Sequence, residues 1–135
     1  MPHDPALVAE VRGWLSKARQ DVAVAQYEMQ ADPPFASDIV AQQAVEKSLK
    51  AFLSWHRVPF RKTHNLIELG ESCCQISPSL EPLLRQAAPL TEYAWKFRYP
   101  GDAEEPTSEE ALRALATARE VLGTVLRSLP YDVAS

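Results

Sequence analysis

Residues 42–53, Gln-Gln-Ala-Val-Glu-Lys-Ser-Leu-Lys-Ala-Phe-Leu, carry the strongest structural signal in this 135-residue chain. They lie within a predicted helix over residues 34–57, because apolar residues recur there at steps of three and four. The apolar seam comprises Ala41, Val45, Ser48, Phe52 and Trp55. A second, polar stripe comprises Gln43, Lys47, Lys50, Ser54 and Arg57. Such a helix is expected to pack its seam against other helices and to present its cations on another face.

The rest of the chain shows the same helical period, interrupted at proline-containing segments. The spacing predicts helices over residues 5–30, 66–75 and 77–97, and a last helix that follows the capping box at residues 107–110. Asn65 is expected to cap the short helix, and Pro89 to kink or interrupt the fourth. No strand pattern, internal repeat or glycine-rich phosphate loop is present. The expected fold is all-α: an antiparallel up-and-down bundle of four long helices plus one short helix, in one domain over residues 1–135.

Composition and cysteine usage limit the function classes. No apolar run approaches the roughly 20 residues of a membrane-spanning helix, and the N-terminus lacks the pattern of a secretory signal. The two cysteines, Cys73 and Cys74, are adjacent, so we interpret them as free thiols in a reducing cytoplasm. The histidines and cysteines lack the spacing of metal ligands, and we expect no metal or cofactor.

Positive charge is concentrated in one segment, although the net charge is −4. Residues 47–67 contain no acidic residue, whereas residues 102–110 contain no basic one. The cations of the first segment are Lys47, Lys50, Arg57, Arg61 and Lys62, with His56 and His64 beside them. Converging Lys and Arg side chains can bind phosphate oxygens. The segment therefore predicts a basic patch that binds phosphate, the alternative being a solvated helix face.

Three segments occur in a characteristic order: residues 42–53, then Thr63-His64-Asn65-Leu66, then Arg98-Tyr99-Pro100. Together they resemble the HEPN family (higher eukaryote and prokaryote nucleotide-binding domains), of the small bacterial stand-alone type, over roughly residues 18–129. The resemblance implies a nucleotide- or RNA-binding module that works with a minimal nucleotidyltransferase partner, as in a toxin–antitoxin-like pair. A homodimer is also expected, because the wide apolar face of the second helix leaves positions such as Leu53 and Trp55 to form a two-fold interface.

The resemblance and the charge pattern together select the candidate site residues. Tyr99 is included because aromatic rings beside an arginine can stack on a base. The predicted ligand-binding residues are Gln43, Lys47, Lys50, Arg61, His64, Arg98 and Tyr99.

Catalysis is a separate question. HEPN ribonucleases resemble one another in an arginine followed, after four to six residues, by a histidine. Arg98 has no histidine after it, and the pair Arg57 and His64 has the spacing but lies in a different segment and spans Pro59. Catalytic residues therefore stay unassigned, with His64, Arg98 and Arg57 as candidates. The alternatives to the binding module are a metal-independent endoribonuclease toxin and a protein-interaction scaffold without a nucleotide ligand.

Overall fold

The computed structural model describes residues 3–30, 37–92 and 107–135, and it contains no strand within those ranges. Its helices are α1 (Pro5–Glu28), α2 (Ser37–Trp55), α3 (Leu66–Ile76), α4 (Glu81–Ala87), α5 (Ser108–Ser128) and α6 (Tyr131–Ala134). Two 3-10 segments, Pro78–Leu80 and Ala88–Glu92, flank α4. The predicted all-α fold class is confirmed.

Helix starts are fixed by the side chains that the sequence places there. The Asp4 carboxylate accepts a hydrogen bond from the Ala6 amide at 3.0 Å and begins α1. The Asn65 side chain accepts from two amides of the first turn of α3, and the Thr107 hydroxyl accepts from the Glu110 amide at 3.1 Å. Each of these caps satisfies backbone donors that the first helical turn leaves unpaired, and contributes about 1 kcal/mol. Both predicted caps, Asn65 and Thr107, are confirmed.

The fourth predicted helix is shorter than the sequence suggested. Helix α4 ends at Ala87, and Pro89 lies in the 3-10 segment that follows. Proline has no amide hydrogen to donate and its ring clashes with the preceding turn, so the predicted interruption at Pro89 is confirmed. The remainder of that predicted helix, from residue 93, lies outside the described residues.

Helix α6 was not predicted. It begins after Pro130 and packs on α1, where two arginines hold its backbone. Arg12 donates to the carbonyl of Asp132, and Arg19 donates to the carbonyl of Ala134. Four residues are too short for a helical period to be detected in the sequence, so its formation depends on these tertiary contacts.

Helix α2 is enclosed by its neighbours. It packs along α1 on one side and along α5 on another, with α3 and the second 3-10 segment closing further sides. Fourteen of its 19 residues are buried, so most of the predicted polar stripe is not a solvated face. Lys50 and Ser54 are only 5% and 6% exposed. Leu53 is fully buried, so the expectation that it forms an exposed dimer interface is wrong.

The end of α2 is a left-handed turn. The Val58 amide donates to the Leu53 carbonyl at 3.0 Å, and the Arg57 amide donates to the Ser54 carbonyl at 3.1 Å. This pair of bonds defines a Schellman motif, in which the residue after the cap adopts a positive φ. Arg57 occupies that position with a φ of 57°, where glycine is the usual residue. The following loop then brings Phe60 against Trp14 of α1, with ring centroids 6.2 Å apart.

Within the described ranges, no helix is both long enough and apolar enough to span a membrane. Cys73 is buried, Cys74 is half-buried, and neither forms a disulfide. Burial raises the pKa of the Cys73 thiol to about 12, so this sulfur stays protonated and serves as a core group rather than a nucleophile. The prediction of two free thiols is confirmed.

Candidate functional site

The centre of the site is an ion pair inside the fold. Lys50 Nζ lies 3.1 Å from Glu46 Oε2, and the two side chains are 7% and 6% exposed. The rings of Trp14 and Phe60 lie 5.3 and 5.8 Å from the same ammonium. A buried ammonium needs a counter-charge, and aromatic faces add further attraction. Lys50 is therefore held in place by α2, α1 and the loop after α2.

The same carboxylate orients a histidine at the surface. Glu46 Oε1 lies 2.6 Å from His64 Nδ1, and Gln42 donates to the His64 carbonyl at 3.1 Å. The His64 side chain is 53% exposed, although the carboxylate that holds it is buried. A histidine ring fixed through one nitrogen presents the other in a defined direction. His64 and Lys50, two predicted ligand residues, are thus joined through Glu46, which was not among the predicted site residues.

Two other cations of the predicted patch are paired with acids of α1 and its cap. Lys47 Nζ lies 2.5 Å from Asp21 Oδ2 in a largely buried contact. Arg57 Nη2 lies 3.3 Å from Asp4 Oδ2, and both of these side chains are exposed. A phosphate that used Lys47 would have to displace a carboxylate from a partly desolvated pair, whereas the exposed pair of Arg57 is weak and easily exchanged.

The loop before α3 carries the remaining cations. Arg61 Nε donates to Glu68 Oε1 at 2.6 Å, and this hydrogen bond lowers the pKa of Glu68 and raises the pKa of Arg61. Lys62 is exposed and forms no ion pair with any residue that the structure describes. Lys62, two residues before His64, is therefore the cation of this loop that can meet an anion without losing a carboxylate partner.

The other predicted residues are less informative. Gln43 is half-buried and makes no hydrogen bond to a described residue. Arg98 and Tyr99 lie outside the described residues. Arg57 and His64 are not brought together, because each contacts a different carboxylate and Glu46 lies about 14 Å along α2 from its end at Trp55. The arginine–histidine pair of a ribonuclease is not assembled from these two residues within one chain.

The structure adds a cleft that the sequence did not reveal. It lies between the first half of α1 and the loop after α2, and has a volume of about 700 Å³. We call it the α1–loop cleft; its lining includes Leu7, Glu10, Trp14, Ser54, Arg57 and Phe60. The residues come from two stretches of the chain, 7–14 and 54–60, that are distant in sequence, so no local motif could have indicated them. Among the described residues, no group of three or more His, Cys, Asp or Glu side chains is arranged to hold a metal ion.

Comparison with known proteins places this geometry in a family. The model of the HEPN domain matches residues 11–129. The crystal structure of TT1696 from Thermus thermophilus is similar at 28% sequence identity and a TM-score of 0.76, covering 89% of this chain and 98% of that one. The structure of ST0689, an archaeal HEPN homologue, has a TM-score of 0.72 at 21% identity, covering 88% of this chain and 97% of its own. No curated protein matches the sequence.

The chain therefore belongs to the HEPN domain family. This confirms the resemblance drawn from residues 42–53 and the two later segments. The likeness to ST0689 supports the fold alone, since its sequence identity is low.

Proposed function

We propose that this chain is a nucleotide- or RNA-binding HEPN module that acts in the cytoplasm with a minimal nucleotidyltransferase partner, as in a toxin–antitoxin-like pair. Family membership supports the first part of the proposal. The cytoplasmic location is supported by two neighbouring cysteines that remain thiols. The partner is proposed from the family resemblance.

The observation that carries the proposal is the half-exposed His64 ring above a buried carboxylate. Glu46 has its charge compensated by Lys50, so it can orient the ring without making the surface strongly acidic. Lys62 lies two residues away and contacts no described acid. One oriented imidazole and one unpaired ammonium can share the oxygens of a phosphate, each forming a charge-assisted hydrogen bond when protonated. We place the phosphate of the ligand here.

Calorimetric titration with nucleoside monophosphates and short single-stranded RNA tests this placement. We expect a Lys62→Ala/His64→Ala variant to bind roughly a hundredfold more weakly than the wild type, because each of the two lost contacts to a charged group costs about 1.5 kcal/mol. An Arg113→Ala/Arg119→Ala variant removes two exposed cations of α5, outside the basic patch, and should bind like the wild type. Equal affinities of the wild type and the Lys62/His64 variant would refute the site.

The module proposal differs from the ribonuclease alternative in the fate of the RNA. A metal-independent ribonuclease cleaves RNA in EDTA, leaves cyclic phosphate ends and loses activity in His64→Ala. Within the described ranges, Arg57 contacts Asp4, Arg61 contacts Glu68, and neither arginine forms a hydrogen bond with His64. We therefore propose binding without cleavage, with the RNA recovered intact from the titration.

Partner binding requires an exposed apolar surface, and α1 provides one. Val24 and Tyr27, one helical turn apart, are 39% and 72% exposed, in contrast to the buried Leu53. We propose that this face, and not Leu53, takes part in self-association or in contact with the partner protein. A homodimer would give a mass near twice 15.0 kDa by light scattering. The scaffold alternative instead requires salt-sensitive binding to an acidic protein and no response to nucleotide.

A further inference from the structure

Glu10, at the wall of the α1–loop cleft, differs from the acids that pair with cations of the predicted basic patch. Glu46, Asp4 and Asp21 each contact a cation, at 3.1, 3.3 and 2.5 Å. Glu10 is exposed and forms no ion pair with any residue in the described ranges; its Oε1 accepts only from the Ser54 hydroxyl, at 3.3 Å. An uncompensated carboxylate at the wall of a cleft is a ready acceptor for ligand donors.

The lining of the cleft around Glu10 has the chemistry of a base-binding site. Trp14 and Phe60 provide half-buried aromatic rings, and Leu7 adds an apolar surface. The volume of about 700 Å³ lies in the range of small-ligand sites. Aromatic side chains are the usual platforms on which unpaired bases stack.

Arg57 supplies a cation at the rim of the same cleft. Its partner in the fold is Asp4, in a pair where the side chains are 64% and 48% exposed. Exposed pairs of this kind contribute little to stability, so a ligand phosphate can replace the carboxylate. The backbone of Arg57 adopts a positive φ, a conformation that costs less energy for glycine than for arginine. An arginine at such a position is consistent with a functional role for its side chain.

We propose that the α1–loop cleft binds a guanine base, which stacks on Trp14 and is read by Glu10, with Arg57 contacting a phosphate of the same ligand. The inference rests on the proposed function, because it assigns one base of the bound ligand to a definite cleft. Arg57 contacts the phosphate of that nucleotide, whereas Lys62 and His64 contact a neighbouring phosphate when the ligand is RNA. Guanine is selected by its Watson–Crick edge, which offers the N1 hydrogen and the 2-amino group side by side to the two oxygens of one carboxylate. Adenine offers one donor beside an acceptor there, and that acceptor is repelled by a carboxylate.

An arginine side chain from a partner protein is the competing ligand, since it too can stack on Trp14 and pair with Glu10. Two observations favour the nucleotide. Arg57 at the rim repels a second guanidinium but attracts a phosphate. The Lys50 ammonium already lies 5.3 Å from the Trp14 ring centroid, so the ring is less able to attract another cation.

Calorimetric titrations with GMP, AMP and guanosine test the assignment, and RNA pentamers UUGUU and UUAUU test whether the guanine is taken from a free nucleotide or from RNA. We expect GMP to bind roughly tenfold more tightly than AMP, and Glu10→Gln to remove that preference. Glu120→Gln removes an exposed carboxylate from α5, outside the cleft, and should retain the preference for GMP.

Arg57→Gln should weaken the binding of GMP but not that of guanosine, and Trp14→Leu should weaken the binding of all guanine ligands roughly tenfold. Circular dichroism of Trp14→Leu verifies its fold, and Glu10→Gln tests the site without altering packing.

The results separate this inference from the proposed function. Equal affinities for GMP and AMP, or a guanine preference that survives Glu10→Gln, would overturn the cleft assignment while leaving the phosphate site at His64 intact. Binding of argininamide that depends on Glu10 and is not displaced by GMP would overturn it in favour of a protein ligand. No binding of any nucleotide or RNA would remove both proposals together.

Discussion

Replacing Glu46 with leucine is expected to lower the free energy of unfolding by about 3 to 5 kcal/mol, because it leaves the ammonium of Lys50 buried without a counter-charge. Lys50 is only 5% exposed and is enclosed by Trp14 and Phe60, so it cannot reach water without opening the packing of α2. The loss corresponds to a decrease of roughly 10 °C or more in the melting temperature of a domain of this size. Thermal and urea unfolding, followed by circular dichroism, measure it.

A double-mutant cycle identifies the cause of that loss. Lys50→Met alone leaves the Glu46 carboxylate with His64 only, and should also destabilise the protein. The Glu46→Leu/Lys50→Met variant removes both charges and should recover most of the stability, since apolar replacements of a buried pair are often neutral. Additive losses in the double variant would show that Glu46 and Lys50 do not interact, and would contradict the buried pair.

The second large effect is expected at Leu53. Its side chain is fully buried in α2, so Leu53→Ala removes apolar contacts and leaves a cavity. The expected cost is about 3 kcal/mol of unfolding free energy. The midpoint of urea denaturation measures this loss of unfolding free energy. An unchanged dependence of that free energy on urea concentration would show that the variant exposes as much surface on unfolding as the wild type does.

The same substitution at an exposed leucine provides the control. Leu112 on α5 is 56% exposed, and Leu112→Ala should change stability by no more than about 0.5 kcal/mol. Light scattering on Leu53→Ala supplies a second readout. A Leu53→Ala variant that keeps its stability but changes its mass in solution would place Leu53 at a subunit interface. That was the expectation from the sequence, and the burial of Leu53 contradicts it.

Much of the fold could be predicted because its determinants are local. The three- and four-residue periods define α1, α2 and α5, and the caps at Asn65 and Thr107 depend on backbone amides within three residues. Pro89 interrupts the helix that precedes it for an equally local reason. The short α6 escaped prediction because Arg12 and Arg19, more than a hundred residues away, hold it.

The site was predicted less well because residue type does not determine burial. Lys50 was predicted to bind a ligand from an accessible polar stripe, since lysines are usually exposed, yet α1 and the loop bring Trp14 and Phe60 to cover it. The carboxylate partners of Lys47 and Arg57, namely Asp21 and Asp4, lie on α1 or at its cap, and no periodicity in α2 indicates them. The one available signal was the step of four from Glu46 to Lys50, which indicates a pair but not its depth.

The network that joins Trp14, Glu46, Lys50 and His64 also constrains how this sequence can diverge. A mutation at Glu46 or Lys50 alone leaves the other residue as a buried, unpaired charge, and the resulting loss of stability depends on which residues occupy the other positions of the network. These sites are therefore epistatic. A substitution that removes the charge of Glu46 is tolerated when a second substitution removes the charge of Lys50, and the reverse also holds. A single substitution at either residue destabilises the fold and is removed by selection for folded protein.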